Sequence, residues 1–295
     1  MANLKEIRNR IVSVSSTMQI TSAMKMVSAA KLKRAQDAIT QMRPYAQKLQ
    51  DILSSLSASL DTSENEYAKE RPVKNVLLIP ITSNRGLCGG FNNYVIKKAL
   101  HLSKNKYKDQ NVTVLPIGKK AADSFKKTPF FGNSDAIMKD ASDIWTNVNF
   151  SDSNAIAETV MKAYTDGAFD KVVFVYNHFK NVATQIVTEE QFLPILPPDA
   201  EEVSSASAAS DYIFEPSKAE IVTELIPKSL KTQFYKIILE SHAGEHGARM
   251  TAMHKATDNA TELNKALKLE YNKARQAAIT NEILEIVGGA EALNG

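Results

Sequence analysis

Two segments of this chain, residues 3–60 and roughly 217–287, contain no run of turn-forming residues long enough to end a helix. Each far exceeds the roughly 10–14 residues of an ordinary globular helix. At 1.5 Å per residue each would reach on the order of 85–105 Å. No compact domain encloses rods of that length. They must pair with each other and reach into other molecules, which points to a component of a larger assembly. The first rod joins the central region by its C-terminal end and the last by its N-terminal end, so the pair is expected to run antiparallel.

The apolar pattern of the first rod supports this. Leu4, Ile7, Ile11, Val14 and Met18 alternate spacings of three and four, one seam of a coiled coil. The seam resumes as Ile39, Met42, Ala46, Leu49, Leu53, Leu56 and Leu60. Between these stretches Ile20, Met24, Met26, Val27, Ala29, Ala30 and Leu32 point several ways, as if to touch more than one partner. Pro44 is expected to kink or locally open the helix. In the last rod, Ser217 and Glu220 fit a capping box. Pro227 is expected to kink it near its start, and Gly288-Gly289 to end it. Its seam is rich in alanine, which lets two helix axes approach closely.

The middle of the chain alternates strands and helices. Residues 61–75 read as a linker. Val76–Ile81, Val112–Ile117 and Val172–Tyr176 are short, β-branched runs bounded by turn residues, and Thr184–Thr188 is expected to pair antiparallel with the last of them. Helices fall at about 92–104, 118–127 and 152–167. This order predicts an open, mostly parallel sheet covered on both faces. Pro194, Pro197, Pro198 and the Ser/Ala run 203–210 read as a mobile connection. The organisation expected is a coiled-coil helix over 1–60, a central α/β domain over 73–200 and a second coiled-coil helix over 211–288.

Composition narrows the chemistry. The 295 residues carry a net charge of +3, too small to imply nucleic-acid binding by itself. Cys88 is the only cysteine, which excludes an intrachain disulfide and a cysteine-rich zinc site and favours a reducing compartment. No apolar run approaches the length of a membrane span. The first fifty residues hold nine Lys/Arg against two acidic residues, with Lys25, Lys31, Lys33, Arg34 and Arg43 interleaved with apolar positions. That imbalance favours an acidic protein partner over nucleic acid or anionic lipid.

Two motifs suggest catalysis and are set aside. His242-Ala243-Gly244-Glu245-His246 matches H-x-x-E-H, and histidines four apart on a helix share a face that could hold zinc. A rod supplies neither a third ligand nor a water-excluding pocket, so surface residues of a long helix is the preferred reading. Gly86-Leu87-Cys88-Gly89-Gly90 lies between a strand and a helix, where phosphate loops occur, but fits neither nucleotide fingerprint. A tight turn with close backbone approach is preferred there.

Three longer stretches carry a resemblance. Arg10–Thr17, Ile20–Val27 and Ala30–Gln36 resemble the N-terminal helix of the γ subunit family of rotary F-type ATP synthases. Arg85–Asn92 is similar to that family's central loop. Ala248–Met253, Ala256–Ala260, Tyr271–Ile283 and Glu285–Val287 are similar to its C-terminal signature. The resemblance implies a central, Rossmann-like α/β domain with a long antiparallel two-helix coiled coil. It implies a rotor shaft inside a ring of three α and three β subunits, resting on the membrane c-ring with the ε subunit. Turning with the ring, the shaft drives the β subunits through states of different nucleotide affinity. It implies no catalytic site, cofactor or metal on this chain, no nucleic-acid partner and no direct membrane insertion. The location implied is peripheral, on the cytoplasmic face of the bacterial inner membrane.

By the same resemblance, Met24 and Lys25 face the acidic lever of β, with Cys88 near it. Arg249 and Gln276 engage a loop of β, and Thr280 lies one turn beyond Gln276. Tyr212, Phe214 and Glu215 match the segment touching the c-ring and ε, and Ile283 and Ile286 the apolar bearing at the top of the ring. There are departures. Gly244 and Gly247 stand where Ser and Ala are commoner, which suggests a locally softer shaft. Met18-Gln19 replaces a more usual Gln-Lys, and 203–210 looks like extra loop. The cysteine-bearing insert of chloroplast versions is absent, so no thiol switch is expected. The other readings are a coiled-coil adaptor and a zinc hydrolase built on the H-x-x-E-H helix.

Overall fold

Helix α1 spans Leu4–Ser57 and the last helix, α5, spans Lys218–Asn294. Between them lie strands β1 (Asn75–Pro80), β2 (Asn111–Val114), β3 (Lys171–Phe179) and β4 (Gln185–Leu193). Helices α2 (Phe91–His101), α3 (Lys119–Phe125) and α4 (Phe150–Thr165) connect them. This is a computed structural model, and it describes residues 4–57, 66–69, 71–195 and 218–294. The chain divides into two compact units, one of residues 1–28 with 250–295 and one of residues 29–249.

The first unit is a pair of helical segments running antiparallel. Arg8 donates to the Tyr271 hydroxyl at 2.8 Å, Thr257 to the Thr21 hydroxyl at 2.9 Å, and Thr261 contacts Met18 Sδ at 3.3 Å. Partner numbers rise as α1 numbers fall, which is the antiparallel order. On α1 the buried positions are Ile7, Thr21 and Ser28; on α5 they are Met253, Ala260, Asn264 and Leu267. Ile20, Met26 and Val27, expected to point several ways, are exposed, and the seam passes through the small polar Thr21 and Ser28 instead. Their hydroxyls bond back to the helix carbonyls of Met18 and Met24, so they can be buried at little cost.

In the second unit the sheet order is β2-β1-β3-β4, with β1 parallel to β2 and β3, and β4 antiparallel to β3. Two-residue alternation sends Leu77, Ile79, Val172 and Phe174 to one face, against α4 and the Leu230, Phe234, Ile237 and Ile238 stretch of α5. Val76, Leu78, Val112, Val114, Val173 and Val175 line the other face under Val95 and Ala99 of α2 and Ala121 and Phe125 of α3. The sheet is therefore sandwiched, as the strand–helix alternation predicts.

Helix α1 runs on through Pro44. Proline removes one N–H, but Thr40, whose carbonyl would have accepted it, is exposed. One expectation needs correction. Helix α5 does not stop at Gly288-Gly289 and continues to Asn294. Neither glycine takes the positive φ that a glycine stop requires. Gly244 and Gly247, read from the sequence as a softer stretch, are also close-approach sites. A Cβ on Gly244 would meet the Phe91 ring at 3.3 Å and the Asn177 carbonyl at 3.5 Å; one on Gly247 would meet the Val182 carbonyl at 3.2 Å. Their missing side chains let α5 lie against the β3–β4 hairpin, so their role is packing.

Candidate functional site

The turn after β1 is built by hydrogen bonds to a few buried polar groups. Ser83 N–H donates to Asn92 Oδ1 at 2.9 Å, and Ser83 Oγ donates to the Arg85 carbonyl at 2.6 Å. Asn92 Nδ2 donates to Ser83 Oγ at 2.9 Å and contacts Cys88 Sγ at 3.2 Å. Asn84 ties the turn to its neighbours, donating to the Ser142 carbonyl at 3.1 Å and accepting from Lys119 N–H at 2.9 Å. Cys88 is 2% exposed, and burial raises its thiol pKa. Gly89 takes φ +60°, which costs glycine little; Leu87 takes φ +63°, which is uncommon for a branched side chain. This is the tight turn preferred from the sequence.

Helix α5 closes over that turn. Arg249, 7% exposed, pairs with buried Glu245 and donates through Nη2 to the carbonyls of Arg85 at 3.1 Å and Gly86 at 3.3 Å. Burial raises the Glu245 carboxyl pKa, opposed by the Arg249 charge and hydrogen bond. One turn earlier, His242 and His246 meet through their Nε2 atoms at 3.0 Å, and Trp145 stacks on His242 with ring centroids 5.5 Å apart. Burial pushes His242 down to about 4 and His246 to about 3, with the Lys31 and Arg249 charges adding to both.

The H-x-x-E-H residues are thus not the surface positions expected: Glu245 and His246 are buried and His242 is half-buried. The short polypeptide motif hid this because the burying surface comes from residues about 100 or more positions away, Trp145 and the turn after β1. The imidazoles face each other and Glu245 faces Arg249. Among the described residues no group of three or more His, Cys, Asp or Glu is placed to hold a metal.

The other residues picked out by resemblance scatter. Cys88 and Arg249 lie in the second unit and come together at the turn. Met24 and Lys25 are half-buried on α1 in the first unit. Gln276, Thr280, Ile283 and Ile286 are exposed on α5, with the Thr280 hydroxyl bonded back to the Gln276 carbonyl at 2.9 Å. From Arg275 to Glu291 every described residue is exposed, including Ile279, Leu284 and Val287. Tyr212, Phe214 and Glu215 lie outside the described residues. No helix among the described residues is long and apolar enough to cross a membrane.

Known proteins fit this architecture. A family model described as ATP synthase matches residues 3–293. The ATP synthase gamma chain of Christiangramia forsetii is 60% identical over 296 residues, covering all of both chains. That of Flavobacterium johnsoniae is 61% identical over 300 residues, again covering all of both. In the Tetrahymena thermophila mitochondrial ATP synthase, a chain of the central stalk and c-ring aligns with 80% of this chain and 99% of its own, at 29% identity and TM-score 0.57. The rotor of the Euglena gracilis mitochondrial enzyme shares the fold over 94% of this chain and 98% of its own, at 22% identity and TM-score 0.63. With paired terminal helices, a sandwiched four-stranded sheet and full-length identity at this level, the chain belongs to the ATP synthase gamma chain family.

Proposed function

We propose that this chain is the central rotor shaft of a bacterial proton-translocating ATP synthase. It couples c-ring rotation to the conformational cycle of catalytic β subunits and has no catalytic site of its own. The observation that carries this is the match to gamma chains over the whole length. The stretch of α5 past Ala274 fits the role: about 17 residues are exposed, with Ile279, Ile283, Leu284, Ile286 and Val287 among them. A helix end this apolar needs a surrounding partner, and a bearing formed by α and β subunits supplies one. Ile283 and Ile286 are assigned to that bearing, and Gln276 and Thr280 to a polar contact with β just before it. Met24 and Lys25 present a methionine and a cation to an acidic segment of β. Tyr212, Phe214 and Glu215 are assigned to the c-ring and ε, which seats the chain peripherally at the cytoplasmic face of the membrane.

Contacts of this kind suit a rotor. A charge-assisted hydrogen bond contributes about 1.5–3 kcal/mol, enough to define a dwell and little enough to be broken once per turn. Reconstitution with α and β subunits tests the proposal. The rotor reading expects one copy of this chain per three αβ pairs and a rise in ATP hydrolysis. Equal hydrolysis with and without the chain would overturn it, and leave the adaptor reading.

A further inference from the structure

Resemblance assigns Arg249 to a loop of the β subunit, yet its guanidinium is buried and spent on its own chain. One arm pairs with Glu245; the other donates to two consecutive carbonyls, those of Arg85 and Gly86. The next residue is Leu87, the one non-glycine among the described residues with positive φ, and its side chain is 65% exposed. Thus the turn is anchored on the inside at Ser83, Cys88 and Asn92, clamped from α5 by Arg249, and presents a single apolar side chain outward.

We infer that Arg249 and Glu245 form a latch that fixes the 85–88 turn and holds Leu87 outward against the β subunit, so that Arg249 is a positioning residue acting through the turn. The identity of the partner rests on the rotor reading; the latch does not. The rotor reading supplies β as that partner, and the exposed Lys31 of α1, whose charge acts on Glu245, suits an acidic segment of it. Arginine suits the task for a geometric reason. A planar fork reaches a carboxylate with one arm and two carbonyls with the other, whereas lysine's single ammonium cannot span both. Glu245 neutralises a guanidinium that would otherwise be buried unpaired. Leu87 at φ +63° would relax to ordinary backbone without the clamp, which would turn its side chain away.

Cys88, one residue past Leu87, reports on the latch in the free full-length chain. Native labelling by N-ethylmaleimide should be slow in the parent. With Arg249→Gln it should accelerate by about tenfold or more, because local opening is governed by the hydrogen bonds lost, with helix content unchanged by circular dichroism. Arg249→Lys should fall between, and Glu245→Gln should accelerate labelling by a few-fold with a smaller risk to folding. Labelling within twofold of the parent in all three variants would overturn the latch. In the reconstituted complex, Leu87→Ala should lower maximal ATP turnover without changing subunit stoichiometry. Arg249→Gln added to it should lower turnover no further; losses that multiply would mean that Arg249 touches β directly, and would also overturn the latch. If the parent chain fails to stimulate hydrolysis, the rotor reading falls while the labelling rates still decide the latch.

Discussion

Helix α5 carries the same residue type in opposite surroundings. Ile237 and Ile238, against the sheet, are 1% and 0% exposed; Ile283 and Ile286, near the far end, are 54% and 65% exposed. Fully burying such a side chain contributes roughly 1.5–3 kcal/mol. The first pair spends that free energy on folding this chain. In the rotor proposed above, the second pair would contribute it only on binding a partner. Hydrophobicity read along the helix does not separate the two cases, because the difference lies in what the rest of the chain brings alongside.

The largest way to break this contrast is at the buried end. Phe234 is fully buried, with its ring edge-on to Phe174 at 5.1 Å and to Phe192 at 5.9 Å. Phe234→Ala should cost about 3–5 kcal/mol of unfolding free energy, measured by urea denaturation. A loss under about 1 kcal/mol would mean that α5 is not integral to the sheet's core.

Acid probes the same packed region. Both imidazoles of the His242–His246 pair are held below the ordinary value of 6.5, His242 at about 4 and His246 at about 3, chiefly by burial. The unfolded chain therefore binds these protons more readily. Stability from the pair is complete above about pH 6.5, falls as pH drops below it, and levels off near the folded values. Each histidine contributes a slope of up to about 1.4 kcal/mol per pH unit. Glu245, raised by the same burial, works in the opposite sense. The measurement is thus a difference: urea midpoints between pH 7 and 5 for the parent and for His242→Gln/His246→Gln. A parent that loses no more stability than the double variant would contradict the neutral pair.

These two regions also differ in how far the sequence disclosed them. The strands were legible because β-branched runs such as Val172–Tyr176 alternate between two apolar faces and end at turn residues. The long helices were legible from heptad spacing at Leu4, Ile7 and Ile11, and the antiparallel order from which ends join the middle. The middle of the α1 seam was not, because Thr21 and Ser28 replace apolar residues there and satisfy their hydroxyls on their own helix. Nor was the Arg249 latch, since its partners are 164 and 163 residues away and are backbone carbonyls, which carry no side-chain signal. Gly244 and Gly247 read as softness because a glycine's cost is local, while the close approach it permits is tertiary.

Glycine gives a smaller and signed test. Gly288 has nothing within 4 Å of a hypothetical Cβ, whereas Gly247 faces a backbone carbonyl at 3.2 Å. Gly288→Ala should strengthen the end of α5 by about 1 kcal/mol of helix propensity, visible as slower amide exchange from about residue 284 onward. The same substitution at Gly247 gains that propensity but must push the Val182 carbonyl or the helix aside. It should be neutral to destabilising, up to about 1–3 kcal/mol. Equal stabilisation at both positions would mean that α5 does not press on the hairpin.

The smallest expected effect on folding is also the one that most sharpens the contrast. Ile286→Ala removes an exposed side chain from a part of α5 where no described neighbour is buried. The urea midpoint of the free chain should move by less than about 0.5 kcal/mol, the usual bound for surface changes. In the reconstituted complex the same change removes apolar area that the bearing would cover, at about 25 cal/mol per Å². Binding to α and β should therefore weaken by roughly tenfold while the free chain stays as stable as before. The conservative Ile286→Val should recover most of that loss, since one methylene is worth less than a whole side chain. If Ile286→Ala destabilises the free chain as much as it weakens the complex, the exposed end of α5 is a folding element and the binding role proposed for it does not exist.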